Sequence, residues 1–211
     1  TIEDLASLLK IEPRQTCKMV FMVGSFISDK TGEEEDKLVV AAIRGDLDVE
    51  ESKLSNAIKA NALRPAHPEE IEEYGMVPGF ASPIGAKKGF VLCVDDSVAE
   101  SNNLVAGANE VGYHFINSNY KRDWDGGIVA DIASAKEGYT CPVCGKSLKS
   151  SKGVEIGNIF QLGTRYSKAM NCTFQDENGV QQPVIMGCYG IGVGRLLACL
   201  SEEYNDEKGL C

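Results

Sequence analysis

The residues best suited to chemistry stand at 187–195, GCYGIGVGR, where glycines at 190, 192 and 194 lead into Arg195 at the head of the apolar run LLACL. A glycine turn lets backbone come close to a ligand, and an arginine offers a planar cation for a nucleotide base or phosphate. The spacing is not the G-x-G-x-x-G of dinucleotide-binding folds. Upstream, EIGNIFQLGTRYSKAM (155–170) and QQPVIM (181–186) supply strand-like segments. A second string, CPVCG (141–145), has the spacing of half a zinc ribbon. Zinc sites take four ligands, yet no second C-x-x-C exists and His67 and His114 are the only histidines. Cys141 and Cys144 therefore read as two free thiols in a tight turn, with no metal.

Taken singly, other polar residues are ambiguous. Lys18, at the head of CKMVFMV, is either a solvated strand-edge lysine or a phosphate anchor; His114 is either a satisfied structural residue or one that positions a substrate. Asp131, in IVADI, is a weaker candidate.

These groups must be carried by a chain of 211 residues with 43% hydrophobic content, enough for one large domain or two small ones. No apolar run reaches the length of a membrane span and no leader pattern opens the chain, so no membrane partner is expected. Eight cysteines could suggest disulfides, but Cys17, Cys93 and Cys199 sit inside apolar runs as buried thiols do, which favours a reducing, cytoplasmic compartment. A formal charge of −10 argues against a generic nucleic-acid coat protein and against DNA. The charge is uneven: residues 136–168 hold six Lys/Arg against two acids, which leaves room for an RNA partner.

Thr1 and Asp4 form a capping pair for a first helix, with Ile2, Leu5, Leu8 and Leu9 on one face. Residues 16–24 and 37–46 read as strands joined by a polar turn at 29–36, a hairpin. Asp48 caps a helix over 51–61 with Leu54 and Ile58 inward, and His67-Pro68 opens another short helix. A Gly/Pro loop at 77–89 precedes a strand at 89–97, a helix at 97–109, and strands at 111–118 and 126–132. This is a mixed α/β sheet domain over residues 1–135, followed by a polar linker at 136–153. Residues 154–211 read as strand, short helix at 166–170, hairpin turning at 176–179, and a final strand–turn–helix. The fold class is α/β (α+β).

The glycine turn, with MGCYG before it and EIGNIFQLGTRYS upstream, resembles the third signature motif of class II aminoacyl-tRNA synthetases, in the form found in bacterial-type prolyl-tRNA synthetases. The resemblance implies that Arg195 stacks on adenine or touches the ATP phosphates, and that Gly190 and Gly192 let their strand lie under the adenylate. Residues 155–163 resemble the prolyl-binding wall, with Asn158, Phe160 and Glu155 as its candidates. The family commonly has histidine at the Asn158 position. Cys188 either lines this pocket or is a buried small thiol.

Residues 1–135 resemble the editing insertion of the same synthetases, a relative of free-standing YbaK-like deacylases. Three matches carry this: Lys18, the G-x-x-x-P loop from Gly79 to Pro83, and the string from Gly107 to His114. RGDLDVEESKL (44–54) adds to them, with Glu50 where the family has asparagine. The resemblance implies hydrolysis of alanine mischarged onto tRNA(Pro), at a site using Lys18, Gly79, Pro83 and His114. A proline site rejects the smaller alanine weakly, so a second site that admits only the smaller residue is needed. Ester hydrolysis needs a water and donors at the developing oxyanion. For the whole enzyme the resemblance implies ATP and Mg²⁺, tRNA(Pro), proline and a homodimer. Editing requires no cofactor.

The first two class II motifs and an anticodon-binding domain are not seen, so the expectation is a fragment of such an enzyme that keeps at most the editing half and folds its last part as a piece of the antiparallel catalytic sheet. Two other readings stand beside it: a free-standing deacylase, and a non-catalytic tRNA-binding paralogue, which Glu50 and Asn158 would suit.

Overall fold

The computed structural model describes residues 1–28, 32–141 and 143–210. The start of the expected 29–36 turn, Pro142 of the CPVCG string and Cys211 lie outside the described residues. The chain divides into two compact units, Thr1–Tyr139 and Thr140–Cys211.

In the first unit, helix α1 (Ile2–Leu9) is capped as its sequence requires: the Thr1 hydroxyl accepts from the Asp4 amide at 3.2 Å while the Asp4 carboxylate reaches back. Its expected apolar face is only partly used. Ala6 is buried, but Leu8 is 78% exposed, and the helix ends at Lys10 in the left-handed region. Strands β1 (Cys17–Ile27) and β2 (Glu34–Arg44) pair antiparallel in unbroken register from Cys17↔Arg44 to Ile27↔Glu34.

Helix α2 (Glu51–Ile58) buries Leu54 and Ile58 as expected. Its N-cap is Glu50, without a side-chain cap bond, and Asp48 does not cap it: that carboxylate takes the ammonium groups of Lys18 and Lys136 instead. A charge-assisted bond outcompetes a neutral amide for the same carboxylate. Strand β3 (Ala62–Pro65) pairs antiparallel with β1, and α3 (Pro68–Glu72) begins with proline in its first turn.

Strand β4 (Val91–Asp95) pairs parallel with β2 and leads into a four-residue helix, α4 (Asp96–Ala99). The helix expected over 97–109 stops there. Asn103 takes φ 57 and turns the chain, and Leu104–Gly107 is a strand, β5, which pairs antiparallel with β6 (His114–Ser118). Leu104, Val105 and Ala106 are consecutive and all buried, a pattern a covered strand satisfies and a surface helix does not. Strand β7 (Ile128–Ala130) pairs parallel with β4, giving the mixed sheet β3-β1-β2-β4-β7.

Both faces of that sheet are covered. Leu38, Val40, Ala42, Leu92 and Val94 lie in one apolar cluster with Met76, Leu104 and Trp124. Val39, Ala41 and Cys93 lie in the other with Leu54, Ile58 and Ile132. This is why the run VVAAI reads as continuous rather than alternating. Burial pushes the thiol of Cys17 up to about 12 and that of Cys93 up to about 11.

In the second unit, β8 (Gly157–Gly163) pairs antiparallel with β11 (Met186–Ile191), with α5 (Arg165–Ala169) between them in sequence. Strands β9 (Thr173–Gln175) and β10 (Gln181–Pro183) form the expected hairpin; the Asp176 carboxylate accepts the Asn178 and Val180 amides, each at 2.9 Å. Helix α6 (Val193–Glu203) follows, then a small ribbon of β12 (Asn205–Asp206) and β13 (Gly209–Leu210) that the sequence did not suggest. Among the described residues of this unit only Ser167 is buried. Among the described residues, no helix is long and apolar enough to cross a membrane.

Leu54, fully buried between α2 and the sheet, should cost about 2–5 kcal/mol when cut to alanine. Leu8→Ala should stay within about 0.5 kcal/mol. The lone tryptophan, Trp124, is in the first unit and buried, so its fluorescence during urea unfolding measures both. Equal shifts of the two midpoints would contradict this packing.

Candidate functional site

A cavity of about 320 Å³ opens between β1, the loop after α3 and the β5–β6 pair, with α1 at its side. It brings together three of the four residues expected to act on an ester, Lys18, Gly79 and His114, with an apolar wall that includes Met19, Phe21 and Phe80. Pro83 is not among its lining residues. It borders a neighbouring cavity of about 370 Å³ with Lys88, Phe90 and Trp124.

The loop from Gly79 to Ile84 is shaped by a residue that the sequence reading passed over. Asn109 donates from its backbone amide to the Phe80 carbonyl at 2.8 Å. Its side chain accepts from the Ser82 amide at 2.8 Å and donates to the carbonyls of Ser82 and Ile84 at 2.9 and 2.8 Å. One side chain thus ties three backbone groups of the loop, and Asn109 does so at φ 55, a conformation that asparagine tolerates better than most residues. Gly107 completes the arrangement. A Cβ there would meet the Phe80 carbonyl oxygen at 2.2 Å and the Ala81 oxygen at 2.4 Å, so only glycine lets the end of β5 lie against the loop. Gly79 is different: a Cβ would meet nothing within 4 Å, but φ is +82, so backbone conformation and not crowding selects glycine there. Asn109 lies within the 107–114 string, between Ala108 and Glu110, but a long-range amide clamp leaves no periodic signal.

His114 opens β6 with its ring 5.6 Å from that of Phe80. Burial holds its imidazole below the ordinary histidine range, which favours the neutral ring, one nitrogen donating and the other accepting. Lys18 donates to one Asp48 oxygen at 3.0 Å, and Lys136 is bonded to the other. The Asp48 carboxyl is held below the usual carboxylate range, by Lys136 first and then Lys18. Asp131 is bound by Lys53 at 2.8 Å, and Glu50 accepts from the Ser134 hydroxyl at 3.3 Å; neither lines the cavity.

In the second unit, Glu155, Asn158, Phe160, Gly190, Gly192 and Arg195 all border one cleft of about 270 Å³. Register explains the convergence: Asn158 faces Gly190 and Gly157 faces Ile191 across the ribbon, while Arg195 sits in the first turn of α6. Arg195 donates to the Glu155 carbonyl at 2.6 Å, and the Asn158 amide reaches the Glu155 carboxylate at 3.3 Å. A Cβ on Gly190 would meet nothing within 4 Å, so that stretch of backbone is open to a ligand. Cys188 faces Phe160 in register and does not line the cleft. It is exposed, so the buried alternative does not hold here: among the described residues its ribbon face carries no covering layer.

Cys141 and Cys144 stand in a closed turn, with the Cys141 amide donating to the Lys146 carbonyl at 2.8 Å and the Gly145 amide to the Cys141 carbonyl at 2.9 Å. Hydrogen bonds from Cys144 and Val143 hold the Cys141 thiol below its usual range. Among the described residues no group of three or more His, Cys, Asp or Glu is placed to hold a metal.

The sequence profile of the aminoacyl-tRNA editing domain matches residues 1–123. Over 210 residues the chain is 45% identical to the proline–tRNA ligases of Salinispora tropica and Dehalococcoides mccartyi, covering 100% of this chain and 35% of each. The chain thus spans about a third of the length of the curated relatives it matches. A crystal structure described as a candidate trans-editing enzyme for prolyl tRNA synthetase superposes with a TM-score of 0.50 at 20% identity, covering 64% of this chain and 80% of that one. At that identity the likeness speaks for the fold.

Replacing Asn109 with alanine removes all three side-chain bonds while leaving a positive φ to be met by a residue that resists it. Unpaired buried groups cost about 1–3 kcal/mol, so the Ser82 amide should exchange with solvent deuterium about tenfold faster or more. Asn109→Gly, which relieves φ but not the lost bonds, should show the same. Unchanged Ser82 protection in both variants would remove Asn109 from this role.

Proposed function

We propose that this chain, which belongs to the aminoacyl-tRNA editing domain family, hydrolyses alanine esterified to tRNA(Pro) in the cavity of its first unit. The observation that carries the reading is the convergence of Lys18, the Gly79 loop and His114 on one small, partly apolar cavity. In this reading a water oxygen adds to the ester carbonyl carbon, the bond from that carbon to the ribose oxygen breaks, and the ribose oxygen takes up a proton; free alanine and intact tRNA result. Backbone of the Gly79 loop, held by Asn109, faces the carbonyl where negative charge develops, since preorganised dipoles stabilise such charge without rearranging. Lys18 anchors the RNA terminus by charge. Neutral His114, packed on Phe80, positions the ester or its water. Pro83 acts through the shape of the loop, fixing φ at its far end.

For the second unit we propose a share of the site that joins proline to ATP in the longer relatives. The open backbone at Gly190 beside Arg195 fits a nucleotide: Arg195 would hold the base or phosphates, and Asn158, Phe160 and Glu155 would border the proline. ATP with Mg²⁺ would supply the α-phosphoryl group that the proline carboxylate attacks, with pyrophosphate as the leaving group; this chain's residues would orient the two. A tRNA(Pro) partner, a homodimeric whole enzyme and a cytoplasmic setting belong to the same proposal.

Incubated with charged tRNAs, the chain should release alanine from Ala-tRNA(Pro), release little proline from Pro-tRNA(Pro), and catalyse no proline-dependent ATP–pyrophosphate exchange. Exchange by this chain would show that its second unit works alone. Tight binding of both tRNAs with no release would favour a non-catalytic binding module over an enzyme.

Within the site, Lys18→Ala should slow single-turnover release of alanine several-fold, whereas Lys37→Ala, which removes an exposed ammonium paired with Glu35, should not. Gly79→Val should lower the rate constant with tRNA still bound, because a β-branched residue resists φ +82. Wild-type rates from folded Lys18→Ala and Gly79→Val proteins would place the ester elsewhere.

A further inference from the structure

Lys136 has no part in the editing reading, and neither does Asp48. Yet Asp48 bridges Lys18 and Lys136, each ammonium on a different carboxylate oxygen. All three groups are at least partly open to solvent; the Asp48 side chain is 55% exposed, against 25% for Lys18 and 48% for Lys136. The backbone that carries Lys136 is fixed. The Ser134 amide donates to the Asp48 carbonyl at 2.7 Å, the Glu50 amide to the Ile132 carbonyl at 2.8 Å, and the Tyr139 hydroxyl to the Asp46 carbonyl at 3.1 Å. Nearby Asp46 is occupied by Arg44 in a two-bond pair at 2.6 and 2.9 Å. Two ammonium groups are therefore held side by side next to the cavity by one anion that solvent can reach.

A carboxylate and a phosphodiester each present two anionic oxygens, and an exposed ion pair is worth too little to resist exchange between them. We propose that Lys18 and Lys136 form a two-lysine clamp for one backbone phosphate at the RNA 3′ end, with Asp48 as the resident anion that keeps both ammonium groups in place until the phosphate displaces it. This rests on the editing reading, which supplies the RNA terminus at the cavity. Lys136 is then a binding residue for the substrate, and Asp48 a positioning residue that is also a competitor. The lysines carry no base contact, so the clamp gives affinity without sequence preference.

The probe is uncharged tRNA(Pro), its binding followed by fluorescence anisotropy across a salt series, with single-turnover release of alanine from Ala-tRNA(Pro) measured in parallel. Lys136→Ala and Lys18→Ala should each weaken binding several-fold at low salt and lower the salt dependence, by about one charge for the pair together because one phosphate is neutralised. Asp48→Asn should strengthen binding several-fold, because the competing anion is gone. Lys37→Ala should change neither. An unmoved salt dependence in Lys136→Ala overturns the clamp. So does Asp48→Asn weakening binding as the lysine variants do, which would make Asp48 an anchor and not a competitor. Alanine release with an unmoved salt dependence would sink the clamp and leave the editing reading standing. The expected salt shifts without alanine release from any version would do the reverse.

Discussion

The register of β1 on β2 is the constraint on which the first unit depends. Successive side chains on a strand point to opposite faces, so the pairing of Cys17 with Arg44 fixes the face of every later residue in both strands. Cys17, with Met19 and Phe21 packed beside it, belongs to the cluster that also holds Val40 and Ala42; Met22 and Val20 belong to the other cluster, with Val39 and Ala41. A slip of one residue would exchange the two sets. It would also take Met19 and Phe21 out of the cavity wall and send Lys18 away from Asp48. The parallel strands β4 and β7 add to this order without being able to reset it, because they attach only to the β2 side.

On that frame the cavity is finished by short, local devices. Gly107 permits a backbone approach that any Cβ would block, Asn109 uses its whole amide on the loop, and Gly79 accepts a backbone angle that other residues resist. None of the three is a chemical group in the usual sense. Their product is a stretch of backbone whose polar groups are directed by hydrogen bonds instead of by regular secondary structure, the property on which the proposed ester site relies.

How much of this the sequence announced follows from the range of the interactions. The strands at 16–24 and 37–46, the helix ending in Leu54 and Ile58, and the hairpin around Asp176 were legible because each rests on local periodicity or local turn chemistry. The helix expected at 97–109 was wrong because LVAG is decided by pairing with β6, a contact that a local window does not contain. Asp48 was misread as a cap for a similar reason: its partners lie 30 and 88 residues away. Lys18, Gly79 and His114 were expected through resemblance and not through periodicity, and the three line one cavity. Asn109 stood inside the same string and was missed, because its value lies in bonds to residues 25 to 27 positions earlier. Of the two readings of Cys188 the buried one does not hold in this chain, because burial depends on a neighbouring layer that its own strand does not encode.

Two aspartates of the first unit show how burial separates structure from exchange. Asp95 is 2% exposed and satisfied by the amides of Ser97 and Ile132 at 3.0 and 2.9 Å, together with the Ser97 hydroxyl. Removing such an acceptor strands buried donors, so its bonds behave as permanent parts of the fold. Asp48 meets two full positive charges yet remains 55% exposed, and water screens what it gains. The stronger-looking electrostatic arrangement is therefore the weaker in free energy. A group that must hold cationic side chains in position and still give them up to an arriving anion belongs at the second kind of site, where the cost of leaving is small and solvent can take over its charge.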